Sequence, residues 1–320
     1  MFLPLDRSAT CRHDVRVKTY GFLGLGSMGT PMAVQLADHC SAQGARLLVW
    51  NRSPGRDGAV IAAGATAAGD PAALIAACEV VVVMLPDLPQ LIELTDGPAQ
   101  LLSGVRNPTV LAVCSSVSPQ AVRSYAEHAA ELTDGLVQVI DAPVSGGTEG
   151  ATEGTLAIMV GGSEAAVAQA WPALTAMGTT VRHLGPIGSG ALAKACNQMV
   201  VAATMIALSE ASVLAESAGV SVAGLLDVLA GGFAGSRVLE VKTENLTSAT
   251  YLPTGKAVYM IKDLGFVQTE AHLTGAAIAQ AALSLDIYRA VAEAGLGDQN
   301  MSVVHALIRR RAGVSTPVEP

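Results

Sequence analysis

The chain has 320 residues, of which 51% are hydrophobic and 14% charged, and its formal net charge is −8. This composition excludes a disordered chain, and an acidic balance without any lysine- or arginine-rich run disfavours nucleic-acid binding. At roughly 150 residues per domain, the length predicts about two domains.

Short apolar runs alternate with helix-like stretches over the first part of the chain. Strands are predicted at residues 17–25, 46–50, 80–85, 110–113 and 137–140, with 157–160 and 181–184 extending the same sheet. Helices are predicted between them, for instance at 28–38, 71–78 and 119–130. Strands that are apolar throughout and alternate with helices indicate an α/β fold with a doubly wound, mostly parallel sheet of the Rossmann type.

The segment GPIGSG at 185–190 changes the character of the chain. Beyond it the strand signals stop, and helices are predicted at 191–218, 222–230, 258–274 and 278–294. We therefore predict three parts: a flexible extension at 1–17, a dinucleotide-binding Rossmann domain at 18–186, and an all-helical domain at 187–320 for substrate binding and dimerisation.

The first helix of the second half is apolar around most of its circumference down to Leu214. A helix that is apolar on all sides must be covered on all sides. A helical half of about 130 residues covers such a helix poorly alone. We therefore predict a long buried helix at the entrance to this half and a homo-oligomer, either a dimer or a tetramer, that completes its burial.

Cysteine and histidine usage bears on compartment and metals. The five cysteines lie tens of residues apart without a CxxC pair, and the six histidines show no metal-ligand spacing. This pattern disfavours a zinc site or a disulfide framework and fits a reducing cytosol. No uninterrupted apolar run reaches the ~18–20 residues of a membrane span, and residues 1–17 lack the long apolar stretch of a secretory signal. We predict a cytoplasmic protein with no metal and no membrane segment.

A glycine-rich motif follows the first predicted strand and precedes a helix; it reads Gly24-Leu25-Gly26-Ser27-Met28-Gly29. In a G-x-G-x-x-G loop the first glycine permits a tight turn, the second admits a pyrophosphate, and the third lets helix and strand pack closely. The phosphates then bind the unpaired amides of the helix N-terminus. Glycine-rich turns also occur without a ligand, but the strand–helix alternation that follows favours a dinucleotide site.

The end of the second predicted strand indicates which dinucleotide binds. An NAD site usually places Asp or Glu about 20 residues past the glycines, whereas residues 50–56 read WNRSPGR. Arg52 and Arg56 can pair with a 2′-phosphate, and Asn51 and Ser53 can hydrogen-bond to it. This turn favours NADP, with NAD as the alternative if the arginines only face solvent.

Two further segments are candidates for substrate chemistry. Ser145, Gly146 and Gly147 follow a strand, at the sheet edge where ligands bind, and a hydroxyl with accessible amides suits a carboxylate. Lys194, Asn197 and Gln198 lie on one face of the apolar helix. A lysine buried there is costly without a role, although a surface lysine with an extended stem is the alternative. Desolvation lowers the pKa of a lysine, which suits proton transfer near neutral pH.

Five motifs, taken together, resemble the β-hydroxyacid dehydrogenases, a family that includes 3-hydroxyisobutyrate dehydrogenase and tartronate semialdehyde reductase. The motifs are GFLGLGSMG at 21–29, VVVMLP at 81–86, DAPVSGGTEGA at 141–151, GSGALAKACNQ at 188–198 and KDL at 262–264. The resemblance spans roughly residues 19–310 in order. It implies that Lys194 is the catalytic acid/base and that Ser145, Gly146 and Gly147 hold the substrate carboxylate.

The resemblance also implies the remaining cofactor contacts. Leu85 and Pro86 would line the adenosine side, Ser116 would approach the nicotinamide, and Lys262 would reach across from the helical half. In the 3-hydroxyisobutyrate dehydrogenases Asn usually stands four residues after the lysine, whereas this chain has Gln198 there and Asn197 one place earlier. This arrangement is more similar to the tartronate semialdehyde reductase branch.

The segment 231–236 (GGFAGS) is likewise similar to that branch and adds Ser236 to the substrate site. The resemblance thus implies an NADP-preferring oxidoreductase that interconverts a small carboxylic acid, a β-hydroxyacid, and its semialdehyde. Tartronate semialdehyde (2-hydroxy-3-oxopropanoate) is the first choice; 3-hydroxyisobutyrate, succinic semialdehyde and glyoxylate are alternatives. An imine reductase would generally replace the lysine. A non-catalytic cofactor-binding module would show changes at the lysine or the Ser-Gly-Gly turn, and both are intact.

Overall fold

The computed structural model describes residues 17–253 and 255–314. The expected flexible extension at 1–17 lies outside the described residues except for Val17, and so do the last six residues of the helical half. The strands are β1 (Thr19–Leu23), β2 (Arg46–Trp50), β3 (Thr66–Ala67), β4 (Val80–Val83), β5 (Thr109–Val113), β6 (Val137–Asp141), β7 (Val144–Ser145), β8 (Ala157–Gly161) and β9 (Thr180–Gly185).

Helices alternate with these strands and then replace them. In chain order they are α1 (Gly29–Gln43), α2 (Gly58–Ala62), α3 (Pro71–Ala77), α4 (Leu88–Asp96), α5 (Pro119–Leu132), α6 (Gly147–Glu153), α7 (Glu164–Met177), α8 (Ser189–Ser217), α9 (Val222–Ala230), α10 (Arg237–Ser248), α11 (Val258–Thr274), α12 (Ala279–Glu293) and α13 (Val304–Arg311). A short 3-10 helix, Met301–Val303, precedes α13.

The strands form one sheet in the order β3-β2-β1-β4-β5-β6-β8-β7, with β9 paired to β8. Pairings from β3 through β6 are parallel, whereas β8 runs antiparallel to both β6 and β7. The strand order reverses between β1 and β4, which creates the crevice where doubly wound sheets bind ligands. The predicted doubly wound, mostly parallel sheet followed by an all-helical part is confirmed.

Apolar strand residues explain why helices cover both faces of the sheet. The four valines of β4 and all five residues of β1 are buried. One apolar layer packs α1 and α7 on one face, and a second layer packs α3, α4 and α5 on the other. A strand buried on both faces cannot alternate polar and apolar residues, so these runs were recognisable as strands in the sequence.

The helical part is built around α8, which packs against α9 to α13. By length and apolar composition, α8 could also cross a membrane, a test that the core helix of a water-soluble protein passes as well. The prediction of no membrane segment considered uninterrupted apolar runs only. Scattered polar residues interrupt α8, but its mean hydropathy stays high enough for a membrane-spanning helix. Less than half of its most apolar stretch is buried in the single chain; Val200 is 60% exposed and Leu214 72% exposed.

Candidate active site

The loop between β1 and α1 is closed on one side and open on the other. A Cβ at Gly24 would collide with the carbonyl oxygen of Met84, and one at Gly29 would collide with the carbonyl oxygen of Gly24. At Gly26 a Cβ would meet nothing within 4 Å. The N-terminus of α1 has no side-chain cap, so its amides are available to an anion. This cradle fits a dinucleotide pyrophosphate.

Asn51 holds the loop from the end of β2. The backbone N–H of Leu25 donates to its Oδ1 at 2.9 Å, and its Nδ2 donates to the carbonyl oxygen of Ser53 at 2.7 Å. Both bonds form because β2 and the glycine loop end side by side and the Leu25 N–H needs an acceptor. The sequence also assigns Asn51 to the 2′-phosphate; its Nδ2 has a second N–H, and that cofactor contact stays a prediction.

A cleft of about 540 Å³ opens beside the glycine loop. Its wall includes Gly26, Ser27 and Arg56, together with Thr148 and Thr152 of α6. The structure therefore brings the glycine loop and one of the two predicted arginines to a single cleft. The other arginine, Arg52, is 75% exposed, and its guanidinium lies 3.8 Å from the carboxylate of Glu93.

The ends of β4 and β5 are tied together by a side chain that the sequence analysis overlooked. The Ser115 hydroxyl accepts from the Leu85 N–H at 3.0 Å and donates to the Leu85 carbonyl oxygen at 2.7 Å. Leu85 and the neighbouring Pro86 therefore keep a fixed place at the carboxyl edge of the sheet. Ser116, next in the chain, offers its carbonyl oxygen to Lys262 Nζ at 2.7 Å.

The Ser-Gly-Gly turn lies between β7 and α6. Ser145 is half-buried and pairs with Ala157 of β8, whereas Gly146 and Gly147 are exposed. Their exposure leaves the backbone amides at the start of α6 accessible to a carboxylate. The same chain segment begins with Asp141, which is fully buried and accepts hydrogen bonds from backbone N–H groups at the start of α8.

Lys194 lies in the second turn of α8 and is only 9% exposed. Burial lowers the pKa of its ammonium to about 8, an effect that the negative charge of Asp263 partly opposes. Asp263 is itself 5% exposed, and burial raises the pKa of its carboxyl while Lys262, Gln198 and Lys194 lower it. An amine with a pKa near the working pH can donate and accept a proton.

Two polar side chains of the predicted stripe connect α8 to α11. Gln198 Nε2 donates to Asp263 Oδ2 at 2.8 Å, and Asn197 Nδ2 donates to Gln198 Oε1 at 3.0 Å. Lys262 approaches from α11, with its Nζ 3.6 Å from Asp87 Oδ2 and 4.0 Å from Asp263 Oδ1. Lysines, carboxylates and amides thus meet between the sheet edge and the helical part.

Ser236 caps α10, where its hydroxyl accepts from the Leu239 N–H at 3.2 Å.

The polar side chains that meet between α8, α11 and the sheet edge also include Asp263 and Asp87, which were not assigned to the site from the sequence. The KDL motif contained the signal for Asp263. Asp87 follows a buried strand and Pro86, which was a weaker signal. Among the described residues, no group of three His, Cys, Asp or Glu side chains could hold a metal ion.

Two family models match the chain. The first, described as the NAD binding domain of 6-phosphogluconate dehydrogenase, matches residues 19–185. The second, described as the NAD-binding of NADP-dependent 3-hydroxyisobutyrate dehydrogenase, matches residues 188–308. Between them, the models cover the sheet, the glycine loop and most of the helical part.

The chain is also similar to whole proteins over most of their length. The NAD-dependent L-serine dehydrogenase of Pseudomonas aeruginosa is 35% identical over 91% of this chain and 98% of its own length. The 2-hydroxy-3-oxopropionate reductase of Escherichia coli is 36% identical over 78% of this chain and 83% of its own length. A solved structure of Mycobacterium tuberculosis 3-hydroxyisobutyrate dehydrogenase with L-serine is 31% identical and superposes with a TM-score of 0.77, covering 92% of this chain and 99% of that one.

Proposed function

The chain belongs to the β-hydroxyacid dehydrogenase family of NAD(P)-dependent enzymes, and we propose that it interconverts a short β-hydroxyacid and its semialdehyde with NADP, using Lys194 as general acid/base. The observation that carries this proposal is the buried ammonium of Lys194, whose pKa of about 8 arises from burial opposed by Asp263. A solvated lysine, with its pKa near 10.4, would be a poor proton acceptor at neutral pH.

The residues at the sheet edge fit a nicotinamide dinucleotide. The open side of Gly26 and the uncapped start of α1 would hold the pyrophosphate. Arg56 and Ser27 would bind the 2′-phosphate from the cleft that both line. Asn51, Arg52 and Ser53, which follow β2, would add further hydrogen bonds or charge. Leu85 and Pro86 would line the adenosine side, and Ser116 and Lys262 the nicotinamide side. When bound, the reduced cofactor supplies a hydride to the carbonyl carbon of the substrate.

The protein supplies the proton and holds the reacting groups. In reduction, the Lys194 ammonium donates a proton to the carbonyl oxygen as the carbonyl carbon accepts the hydride, and the neutral amine then regains a proton from water. In oxidation, the neutral amine accepts the hydroxyl proton. Asp263 stabilises the ammonium form, because its negative charge is held at the same buried place. Water is largely excluded there, which strengthens each charge interaction.

Substrate chemistry follows from the Ser-Gly-Gly turn. A carboxylate would accept hydrogen bonds from the Ser145 hydroxyl and from the exposed backbone amides of Gly146 and Gly147. Asn197, Gln198 and Ser236 would orient the remaining polar group of the substrate. L-serine and 2-hydroxy-3-oxopropionate, named in the relatives, each carry a carboxylate and an oxygen on the β carbon. This pattern ranks tartronate and methylmalonate semialdehydes ahead of succinate semialdehyde and glyoxylate, which have no oxygen on a β carbon. We rank tartronate semialdehyde first because Asn197 and Gln198 are similar to the tartronate semialdehyde reductase branch.

Steady-state kinetics test the proposal. Tartronate, methylmalonate and succinate semialdehydes and glyoxylate are assayed with NADPH and with NADH, beside a cyclic imine. We expect the highest kcat/KM with tartronate semialdehyde and NADPH. Lys194→Ala should lower kcat by about 10²–10⁴-fold while leaving NADPH affinity nearly unchanged. Lys256→Ala, which removes an exposed ion pair with Asp298, is the matched control. Two outcomes would contradict the proposal: oxidation of NADPH with the imine but with none of the aldehyde acids, and no oxidation of NADPH with any of these compounds.

The assembly and location of the enzyme belong to the same proposal. We propose a water-soluble cytoplasmic homo-oligomer, a dimer or tetramer, in which residues 18–186 form the cofactor domain and 187–320 the substrate and dimerisation domain. Val200 and Leu214 support this assembly, because both are apolar and largely exposed on α8. Light scattering should report a multiple of 32.4 kDa. A monomer at micromolar concentration would contradict the proposed oligomer but would leave the proposed reaction and the role of Lys194 unaffected.

A further inference from the structure

Asp141 joins strand β6 to helix α8, which bears Lys194. It is the final residue of β6 and is fully buried. Its Oδ1 accepts from the Gly188 N–H at 2.8 Å, and its Oδ2 accepts from the Ala191 N–H at 2.6 Å. Both carboxylate oxygens therefore accept hydrogen bonds at the start of α8. The amides that donate them would otherwise have no partner, because a helix start leaves its first N–H groups without intrahelical acceptors.

The same turn of α8 has no space in which to shift. A Cβ at Gly190 would collide with the carbonyl oxygen of Met159 in β8 and would lie 2.8 Å from the carbonyl oxygen of Asp141. The helix start is thus pressed against the ends of β6 and β8, with the carboxylate of Asp141 closing the contact. Only a glycine at position 190 permits this approach.

Lys194 lies three residues beyond Ala191, less than one helical turn of 3.6 residues. A shift in the first turn of α8 is therefore transmitted to the Lys194 backbone with little loss. On its other side Lys194 faces α11, where Asp263 carries the opposite charge and Lys262 carries the same charge. The ammonium is thus placed by the Asp141 contact from the sheet and by the charges of α11.

The choice of a carboxylate at this position has a physical cost. Burial raises the pKa of the Asp141 carboxyl, and the backbone N–H donors of α8 oppose that rise. A helix N-terminus carries a partial positive charge, which a negative side chain at the helix start offsets. The pKa of Lys194 depends on its burial and on Asp263, so Asp141 would act on Lys194 through its position rather than through its charge.

We propose that Asp141 is a positioning residue that fixes the start of α8 and thereby sets the place of the Lys194 ammonium at the carboxyl edge of the sheet. This inference rests on the proposed role of Lys194 and adds a residue that does not touch substrate or cofactor. It implies that Asp141 acts on the proton-transfer step rather than on dinucleotide binding.

Asp141→Asn tests the inference, because asparagine has the same size but keeps only one acceptor oxygen and no charge. Thr133→Val is the matched control: the Thr133 hydroxyl is buried at the amino end of the same strand, accepts from the Val137 N–H at 3.1 Å and donates to the Ala129 carbonyl oxygen at 2.7 Å. Both variants lose a buried side chain–backbone bond next to β6, but only one lies beside α8. The melting temperature of each variant is measured together with three functional properties of the full chain. These are kcat, the NADPH dissociation constant and the pH dependence of Lys194 acetylation, read by mass spectrometry.

We expect Asp141→Asn to lower kcat by about 10- to 100-fold, as a displacement of about 1 Å can, with the NADPH dissociation constant changed less than about 3-fold. The acetylation pKa of Lys194 should rise from about 8 as its burial loosens. Thr133→Val should lower the melting temperature only. If Asp141→Asn instead behaves like Thr133→Val in all three properties, Asp141 is structural and the inference is wrong.

A second variant tests the inference if the Asp141→Asn protein does not fold. Gly190→Ala pushes the same turn away from Met159 while leaving Asp141 in place, and we expect it to lower kcat and raise the acetylation pKa of Lys194 in the same way. An unchanged acetylation pKa in a folded Gly190→Ala protein would overturn the inference. If the unmodified protein reduced none of the aldehyde acids, the proposed function would fail, yet the acetylation measurements would still decide whether Asp141 positions Lys194.

Discussion

The carboxylate of Asp263 is held by one hydrogen bond, which Gln198 Nε2 donates to its Oδ2 at 2.8 Å. Its Oδ1 is buried and accepts no hydrogen bond within the described part of the chain. The charge of Asp263 is therefore balanced mainly by the ammonium groups of Lys194 and Lys262, one from α8 and one from α11. Helix pairing across the site thus creates the electrostatic environment in which Lys194 would work.

Removal of the Asp263 charge should lower the pKa of Lys194 further below 8, because that charge opposes the effect of burial. In Asp263→Asn, the loss of reductase activity with rising pH should begin at a lower pH than in the unmodified enzyme. Asp286→Asn, on the exposed side of α12 beside Arg289, is the control. Profiles of kcat/KM against pH measure the shift, and identical profiles for all three proteins would disprove the coupling.

The two reaction directions should respond to pH with opposite signs. With Lys194 as the proposed proton donor, reduction would need its protonated form, so the kcat/KM of reduction should fall as pH rises through about 8. Oxidation needs the neutral amine, so its kcat/KM should rise over the same range. Both limbs should disappear in Lys194→Ala. A reduction rate that stays constant from pH 7 to about 9.5 would mean that another group donates the proton.

Cofactor choice should depend more on Arg56 than on Arg52. Both arginines are exposed, but Arg56 lines the cleft beside Gly26, whereas the guanidinium of Arg52 lies 3.8 Å from Glu93. A charged hydrogen bond of about 1.5–3 kcal/mol corresponds to roughly a 10- to 100-fold increase in the KM for NADPH in Arg56→Ala. The KM for NADH should change little, and Arg52→Ala should show a smaller effect. An equal loss for both cofactors would contradict a 2′-phosphate contact.

Much of the fold could be predicted from the sequence because the central strands are buried on both faces. Four consecutive valines, all buried in β4, favour a strand in the interior of a sheet over other elements. Short elements with little burial carried no such signal: both residues of β3 are exposed, and α10 has only two buried residues, Leu239 and Leu246. Local periodicity marks an element only where one of its faces is packed.

The candidate site was predictable where a motif fixes the backbone, and less so where residues meet across the fold. The glycine loop and Lys194 were recognised from their neighbours in sequence. The contact of Asp263 with Gln198 joins residues 65 positions apart, and no local pattern indicates it. The bond from the Leu25 N–H to Asn51 likewise joins residues 26 positions apart, and the sequence prediction did not include it. Long-range pairs require the tertiary structure.

The glycine loop offers a pair of substitutions that should separate folding from cofactor binding. At Gly26 a Cβ would meet nothing within 4 Å, whereas at Gly29 it would collide with the Gly24 carbonyl oxygen. Gly26→Ala should therefore keep the melting temperature and lose NADPH affinity, because the methyl group would occupy the space left for the pyrophosphate. Gly29→Ala should lower the melting temperature, since helix α1 would have to move away from β1. Thermal unfolding and NADPH fluorescence titration measure both effects. Undiminished NADPH binding by Gly26→Ala would show that the dinucleotide does not approach this loop.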